Sequence, residues 1–344
     1  MRGRRQLLQA GLGLAVAAAG GGTALGLPAR RQGVRVVVQH GEQLKQLPLF
    51  LAHHLGFFQA DGLEVALLPL PAQMRALDAV QTLQAEVFAG SFERTVLRQA
   101  QGHAERAFVA LANAPQVVLG VAPGVLSAHT QPVELAGARI GVSGLGALSH
   151  RVAQLVLWRA GLQSRDMHFV EVPTGEDALL AFRMGAIEAL SYTDPVITQL
   201  EQAGSIRVVS DTRSLRTSQQ VFGGPMLCAC LSADESFLQR RPEVAQGLVN
   251  GVVRALKWLQ TATPVDLVSH LPPEAWWSDR ALFLAALSRS RETLSPDGWI
   301  AEQAPAHVLR AMHRLGTDAP LERVSPAATY TNGLVARAKQ QFRV

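Results

Sequence analysis

Cysteine is nearly missing from this chain, with two in 344 residues, and that excludes a disulfide-stapled scaffold. Long tracts of Ser, Gln or like charge are missing too, so the chain is not of the disordered class. It has no basic run and no aromatic-interleaved basic stripe, the electrostatic footprint that a nucleic-acid partner needs. Aromatics supply 6% and charged residues 17%, against 48% hydrophobic. What is present is a globular chain whose length suggests two domains with ample core.

Residues 1 to 29 run from a charged start, MRGRRQLLQ, through a weakly apolar stretch rich in Gly and Ala to small residues around Leu27, Pro28 and Ala29. That layout is an export signal. The competing reading, a transmembrane anchor, needs about 20 strongly apolar residues, which this stretch does not supply. Arg4 and Arg5 before Gln6, Leu7 and Leu8 resemble a twin-arginine signal, and no cysteine near the cleavage point offers a lipid anchor. A soluble periplasmic product is expected. With Arg2, Arg4 and Arg5 removed, the 32 basic side chains fall to 29 against 27 acidic, a nearly neutral mature protein. Cys228 and Cys230, two apart in MLCACL, point to one face of a strand and read as buried packing.

From Val34 onward, short β-branched runs alternate with helical periodicity. Strands are expected at 34 to 38, 63 to 68, 86 to 90 and 106 to 112, and helices around 47 to 58, 73 to 84 and 92 to 101. The order then recurs, with strands at 138 to 142, 167 to 172, 187 to 192 and 206 to 210 and helices at 149 to 160, 176 to 184 and 195 to 203. At an offset of 102 residues Ala79 falls on Ala181, Glu86 on Glu188, Ser91 on Thr193 and Gly102 on Gly204. Alternating strands and helices imply an α/β fold with mostly parallel sheets covered on both faces. Residues 113 to 121 and 222 to 231 read as two extended stretches passing between lobes, a hinge. The remainder is mostly helical, opening with Ser232 and Glu235 at capping-box spacing and continuing in a long helix at 242 to 262. The tail is expected on the first lobe. Lobe one is then residues 30 to 115 with 225 to 344, and lobe two is residues 116 to 224.

Ligands of open parallel sheets bind outside the carboxyl ends of the strands. The loops expected there carry Gln39, His40, Gln46, Leu47 and Pro48, then Gly90, Ser91 and Phe92, then Asn113. From the second half come Gly144, Gly146, Ser149 and His150, then Thr174, then Tyr192, Thr193 and Asp194, and finally Phe222 and Gly223. In the loop Ser143 to His150 the glycines let backbone amides approach a ligand, while Ser149 would cap a helix whose free N–H groups favour an anion. A tight turn with an ordinary cap explains the same residues. Thr174 with Asp177 is capping-box spacing, and Asp194 before Pro195 is a good cap. Asp194, beside Tyr192 and Thr193, could instead receive an amino or amidine group. His53 and His54 cannot face one way on a helix, so no metal spacing results, and Ser149 with His150 lacks a GxSxG elbow. Trp276 and Trp277 read as packed aromatics. No cofactor is expected.

The segments LPLFLAHHLGFFQADGLEV (47 to 65), AGSFERTVLRQAQG (89 to 102), ELAGARIGVSGLGALSH (134 to 150) and GEDALLAFRMGAIEALSYTDPV (175 to 196) together resemble the solute-binding proteins of ABC importers in the nitrate, sulfonate and taurine group. DTR (211 to 213), FGGPM (222 to 226), ALKWLQTA (255 to 262) and TYTN (329 to 332) extend the resemblance over nearly the whole mature chain. It implies a type II periplasmic binding fold, a small-molecule ligand, a membrane permease and a cytoplasmic ATPase as partners, a periplasmic location and a monomer. Thiamine-precursor binders share that fold. The group commonly carries Gly-Ser-Ser-x-His where this chain has Gly146-Ala147-Leu148-Ser149-His150, and one serine fewer weakens the case for a small oxyanion. An enzyme on the same fold, of the pyrimidine or menaquinone precursor type, is the alternative, with His40, His150 and Lys45 as its candidate groups. A sensor domain is a third.

Overall fold

β-branched and small apolar residues dominate the segments that become strands: β1 (Gln32–Val38), β2 (Leu63–Pro69), β3 (Val87–Ser91), β4 (Glu105–Ala112), β5 (Val117–Val121), β6 (Arg139–Val142), β7 (His168–Glu171), β8 (Ala189–Thr193), β9 (Arg207–Asp211) and β10 (Ala229–Asp234). The computed structural model describes residues 31–39, 43–71, 74–124, 131–271, 279–317 and 319–344. The export-signal reading, His40, Trp276 and Trp277 lie outside the described residues. Between the strands run α1 (Gln43–His54), α2 (Phe57–Ala60), α3 (Ala79–Thr82), α4 (Phe92–Ala100), α5 (Leu148–Arg159), α6 (Gly175–Arg183), α7 (Val196–Gln202) and α8 (Leu215–Phe222). The tail is α9 (Glu235–Arg240), α10 (Pro242–Thr261), α11 (Pro264–His270), α12 (Arg280–Ser290), α13 (Ala304–Arg314) and α14 (Gly333–Phe342).

Two five-stranded sheets result, ordered β2-β1-β3-β10-β4 and β7-β6-β8-β5-β9. β1 is parallel to β2 and β3, and β6 is parallel to β7 and β8. Each sheet carries one strand of opposite direction: β10 is antiparallel to β3 and β4, and β5 to β8 and β9. Those two strands come from the stretches expected to cross between lobes. The chain leaves the first sheet at the carboxyl end of β4 and enters the second as β5; it returns after β9 and α8 as β10. A strand that enters a sheet from the end where its neighbours finish must run against them. The antiparallel direction of β5 and β10 therefore aims the carboxyl ends of both sheets at one shared region.

The internal repeat is visible in matching hydrogen bonds. The Arg35 N–H donates to Glu86 Oε2 at 2.9 Å, and the Arg139 N–H to Glu188 Oε2 at 2.8 Å. Glu86 directly precedes β3 and accepts from β1, and Glu188 directly precedes β8 and accepts from the first residue of β6. Gly102 and Gly204, at φ +90° and +62°, end α4 and α7 in the left-handed conformation glycine favours.

Three departures from the sequence reading have local causes. Within residues 73 to 84 only Ala79–Thr82 is helical among the described residues. Gln84 at φ 49° turns the chain into β3. Phe222 ends a helix rather than lying in an extended stretch, because Ser214 caps α8 through the Thr217 N–H and Gly223 closes it at φ 81°. Ser232 is not a cap: it lies within β10, its buried hydroxyl donates to Glu105 Oε1 at 2.8 Å, and Asp234 takes the N-cap position of α9.

One core cluster joins β1 and β3 to α1 and α10 through Val36, Ala89, Leu51, Val249 and Val252. A second spans both sheets, packing Val96 of α4, Ala110 of β4, Leu119 of β5, Val152 of α5 and Val308 of α13 together. Each Val or Leu among them contributes about 1.5 to 3 kcal/mol on burial, and the two alanines less. The tail also touches the second sheet's elements: Arg289 of α12 pairs with Glu201 of α7 at 2.6 Å, and Glu292 accepts from the Leu215 N–H at 2.8 Å. Cys228 and Cys230 are both buried, and they form no disulfide.

Candidate functional site

On the first sheet, Gln39 follows β1 and its Oε1 accepts from the Ser91 N–H at 2.9 Å. Gln46, 1% exposed, donates its Nε2 to the carbonyls of Gln39 at 3.0 Å and Ala89 at 3.3 Å. It holds the Gln39 turn in place from behind. Gly90 is required by this contact, since a Cβ there would stand 2.5 Å from Gln39 Oε1. Ser91 caps α4, accepting from the Glu93 N–H at 3.3 Å. Phe92 and Leu47 are core side chains at 0% and 1% exposed, and Pro48 is buried within α1. Those three, expected at the site because they follow strand carboxyl ends, have side chains packed into the protein. The Asn113 N–H donates to the Thr293 carbonyl at 2.7 Å, tying the crossing segment to the tail.

On the second sheet the loop after β6 folds in on itself. Ser149 is not the helix cap; Ala147 takes that place, and the buried Ser149 Oγ accepts from the Ser143 N–H at 3.0 Å and meets Ser143 Oγ at 2.8 Å. Gly146, at φ +81°, donates its N–H to His150 Nδ1 at 2.8 Å. The Leu145 N–H donates to Glu171 Oε1, the last residue of β7, at 2.7 Å, and Gly144 lies beside that carboxylate. The His150 ring meets Phe169 edge-on at 4.4 Å. Burial, with the Arg151 charge adding, holds His150 below its usual value against an opposing pull from Glu171. An Nδ1 that accepts leaves the ring proton on Nε2.

Thr174 caps α6 and also donates its hydroxyl to Asp177 Oδ2 at 2.7 Å. Tyr192 points into the sheet's core and donates to the Val172 carbonyl at 3.0 Å; burial, with Asp177 adding, pushes its hydroxyl up to about 12. Thr193 ends β8 opposite Val117. The Asp194 side chain is 2% exposed and accepts from the Thr198 N–H and hydroxyl at 2.9 and 2.7 Å. Behind it Arg213 gathers Asp211, Glu201 and Asp194. Burial alone would lower the Arg213 pKa, but hydrogen bonds to Asp211 and Glu201 and the Asp194 charge reverse that and raise it. Asp194 is thus committed inside the protein, and the Arg213 that commits it gave no sign in sequence beyond the DTR match. Phe222 is 8% exposed and packs in the central core, with Gly223 as its helix end.

Among the described residues an ion pair spans from one sheet's end to the other's. Arg151, in the first turns of α5, donates Nη1 to Glu93 Oε2 at 2.7 Å and Nε to the Gly146 carbonyl at 2.9 Å. Glu93 lies in the first turn of α4, two residues after the Ser91 cap. Sequence reasoning missed Glu93, Arg151 and Glu171. Glu93 reads as an ordinary first-turn acid, and nothing local pairs residues 58 positions apart. Among the described residues no three His, Cys, Asp or Glu side chains form a group that could hold a metal, and no helix is long and apolar enough to cross a membrane.

Comparison with known proteins places this geometry. The family model described as NMT1/THI5 like matches residues 43–264. A solved structure of a protein from Bordetella bronchiseptica RB50 is 36% identical, with a TM-score of 0.79 over 92% of this chain and 99% of that one. The periplasmic aliphatic sulphonate binding protein SsuA of Escherichia coli is similar at a TM-score of 0.66 and 18% identity, over 88% of this chain and 94% of that one. The desulfurization enzyme DSZB shares the fold at a TM-score of 0.64 and 16% identity, over 91% of this chain and all, 100%, of that one. No curated protein matches the sequence. Two sheets with facing carboxyl ends, two crossing strands and a match over most of the chain leave one assignment: this chain belongs to the NMT1/THI5-like family and has the periplasmic binding protein fold.

Proposed function

We propose that the protein is the periplasmic substrate-binding component of an ABC importer, which closes two lobes on a small solute and delivers it to a membrane permease driven by an ATPase. The solute is of the sulfonate, taurine or nitrate kind or a small nitrogenous organic compound. Lobe one takes residues 30 to 115 and 225 to 344, lobe two residues 116 to 224, and residues 1 to 29 direct export. The observation that carries the reading is the topology: each crossing strand enters the opposite sheet at its carboxyl end, so both lobes present loops and helix N-termini to one gap. The Glu93 to Arg151 pair at 2.7 Å joins the two sides of that gap. A binding role needs no nucleophile, and the protein acts as a monomer.

Thermal-shift screening of the mature protein against sulfonates, taurine, nitrate, pyrimidines and amino compounds tests this, with small-angle scattering on any stabilising compound. A raised melting temperature with a smaller radius of gyration is the expected result. Turnover of a compound without lobe closure would overturn it. The enzyme reading draws support from the fold shared with DSZB. His150→Ala separates the two: a receptor loses part of its affinity, an enzyme nearly all its rate.

A further inference from the structure

Two sheets joined by two crossing segments can rotate against each other only as far as their other contacts allow. Such contacts come from the tail. At the first crossing, residues 113 to 116, the Asn113 N–H donates to the Thr293 carbonyl at 2.7 Å and Gln116 Nε2 donates to Thr293 Oγ1 at 2.9 Å. One residue thus holds both ends of that segment. Thr293 is itself fixed: it is buried, its hydroxyl donates to the Ser290 carbonyl at 2.5 Å, and the next residue, Leu294, pairs with Ala112 of β4. Gln116 stands at φ 58°, a conformation unfavourable for a residue with a Cβ, and its bond to Thr293 holds it there. The second crossing meets the tail at Gly224, which lies so close to the His307 ring of α13 that a side chain there has no room.

From the same turn two side chains reach elements of the second sheet. Arg289 Nη1 donates to Glu201 Oε1 of α7 at 2.6 Å, and Glu292 Oε1 accepts from the Leu215 N–H at 2.8 Å. Leu215 opens α8, and its amide is one of the first-turn donors that a helix cannot satisfy itself; a carboxylate there also suits the helix dipole. Glu201 is shared, since Arg213 donates to both its oxygens at 3.0 Å and also pairs with Asp194, directly after β8. The apolar residues flanking the turn, Ala286, Leu287 and Leu294, belong to the first sheet's core with Phe108 and Leu111. Arg289 and Glu292 therefore reach from one sheet's packing to the other sheet's helices, and neither partner lies in a crossing segment. Rotation about residues 113 to 116 changes both distances while the Thr293 grip stays in place.

We infer, resting on the receptor reading, that Arg289 to Thr293 form a non-covalent third strap across the hinge. Thr293 is its pivot. The Arg289–Glu201 and Glu292–Leu215 contacts are its releasable end, which restrains opening and so sets how much of the ligand-free protein is open. This regulates the binding site from outside it, because apparent affinity scales with the fraction of molecules in the competent arrangement.

The test is amide hydrogen exchange and small-angle scattering on the full mature protein without ligand. Arg289→Ala is the first variant, because a side chain 49% exposed leaves no core cavity when removed. The Leu215 amide, which Arg289 does not touch, is expected to exchange about fivefold faster, with the Asn113 amide at its wild-type rate and a larger radius of gyration. Glu292→Gln, whose amide oxygen still accepts from Leu215, should give a smaller rise, and Arg289→Ala with Glu292→Ala the largest. Arg75→Ala, which breaks an exposed pair with Asp78, is the control and should move neither readout. A merely structural role would lower the melting temperature and leave Leu215 exchange and the radius of gyration at wild-type values. Unchanged Leu215 exchange in Arg289→Ala, equal acceleration at Asn113, or a radius of gyration unchanged or smaller in the double variant overturns the inference. None of these readings needs a ligand, so the two failures are separable: if no compound shrinks the wild type while Arg289→Ala still expands it, the receptor reading falls and the strap stands.

Discussion

Gly90 and His150 set the tolerance of the site at the scale of single residues. A methyl group at Gly90 would enter the space of Gln39 and of the Phe88 ring, at 2.5 and 2.6 Å. Gly90→Ala is therefore expected to cost about 1 to 3 kcal/mol, as overpacking does. Chemical denaturation reads the loss, and pairing the change with Gln39→Ala should return part of it. His150 is held neutral by burial and by Arg151, so the native state takes up a proton less readily than the unfolded chain. With a depressed native pKa the unfolded state binds more protons, and stability falls as pH drops through the ordinary histidine value of 6.5. His150→Gln, which can still accept from Gly146, should flatten that part of the stability profile between about pH 5 and 7. An identical slope in wild type and variant would show that His150 does not titrate as described.

At the scale of elements, helix starts at the strand ends are fixed by short side chains. Ser91 and Thr174 each accept the first free amides of α4 and α6. Ser91→Ala should cost about 1 kcal/mol and fray the turn that presents Glu93, which denaturant titration and amide exchange of residues 92 to 95 would report. The Thr174 cap was readable from its spacing to Asp177, a local signal, whereas Ser91 was read only as a site residue. α8 was not readable, since its Ser214 cap and Gly223 stop lie inside a run whose apolar residues suit an extended chain equally well. Ser149 misled for a related reason. A serine at a helix start can bond forward to the helix or backward to the preceding strand, and only the path of the Ser143 to Ala147 turn decides which.

For the whole molecule, the contacts that count join residues far apart in sequence. Glu93 and Arg151, with side chains 22% and 20% exposed, link α4 to α5 across the gap. If closure uses this pair, Glu93→Gln and Arg151→Ala are not additive: a double-mutant cycle on ligand affinity should give a coupling of about 1 kcal/mol. A coupling of zero would mean the pair forms without contributing to closure. The shared core formed by Val96, Ala110, Leu119 and Val152 lets the two sheets be packed together on one side while their carboxyl ends face each other.

The alternation of strands and helices, the doubled order and the glycine stops lay in the sequence, because a period of 2 or 3.6 residues and a left-handed turn are written in neighbouring residues. The matching roles of Glu86 and Glu188 follow from the same local grammar, as an offset of 102 residues already lined them up. Tertiary structure alone decided that β5 and β10 run against their neighbours, that Asp194 is enclosed by Arg213, that Glu93 pairs with Arg151 and that Glu171 accepts from the Leu145 amide. Those outcomes depend on which chain segments meet in space, and neither charge nor spacing along the chain encodes a meeting between residues dozens of positions apart.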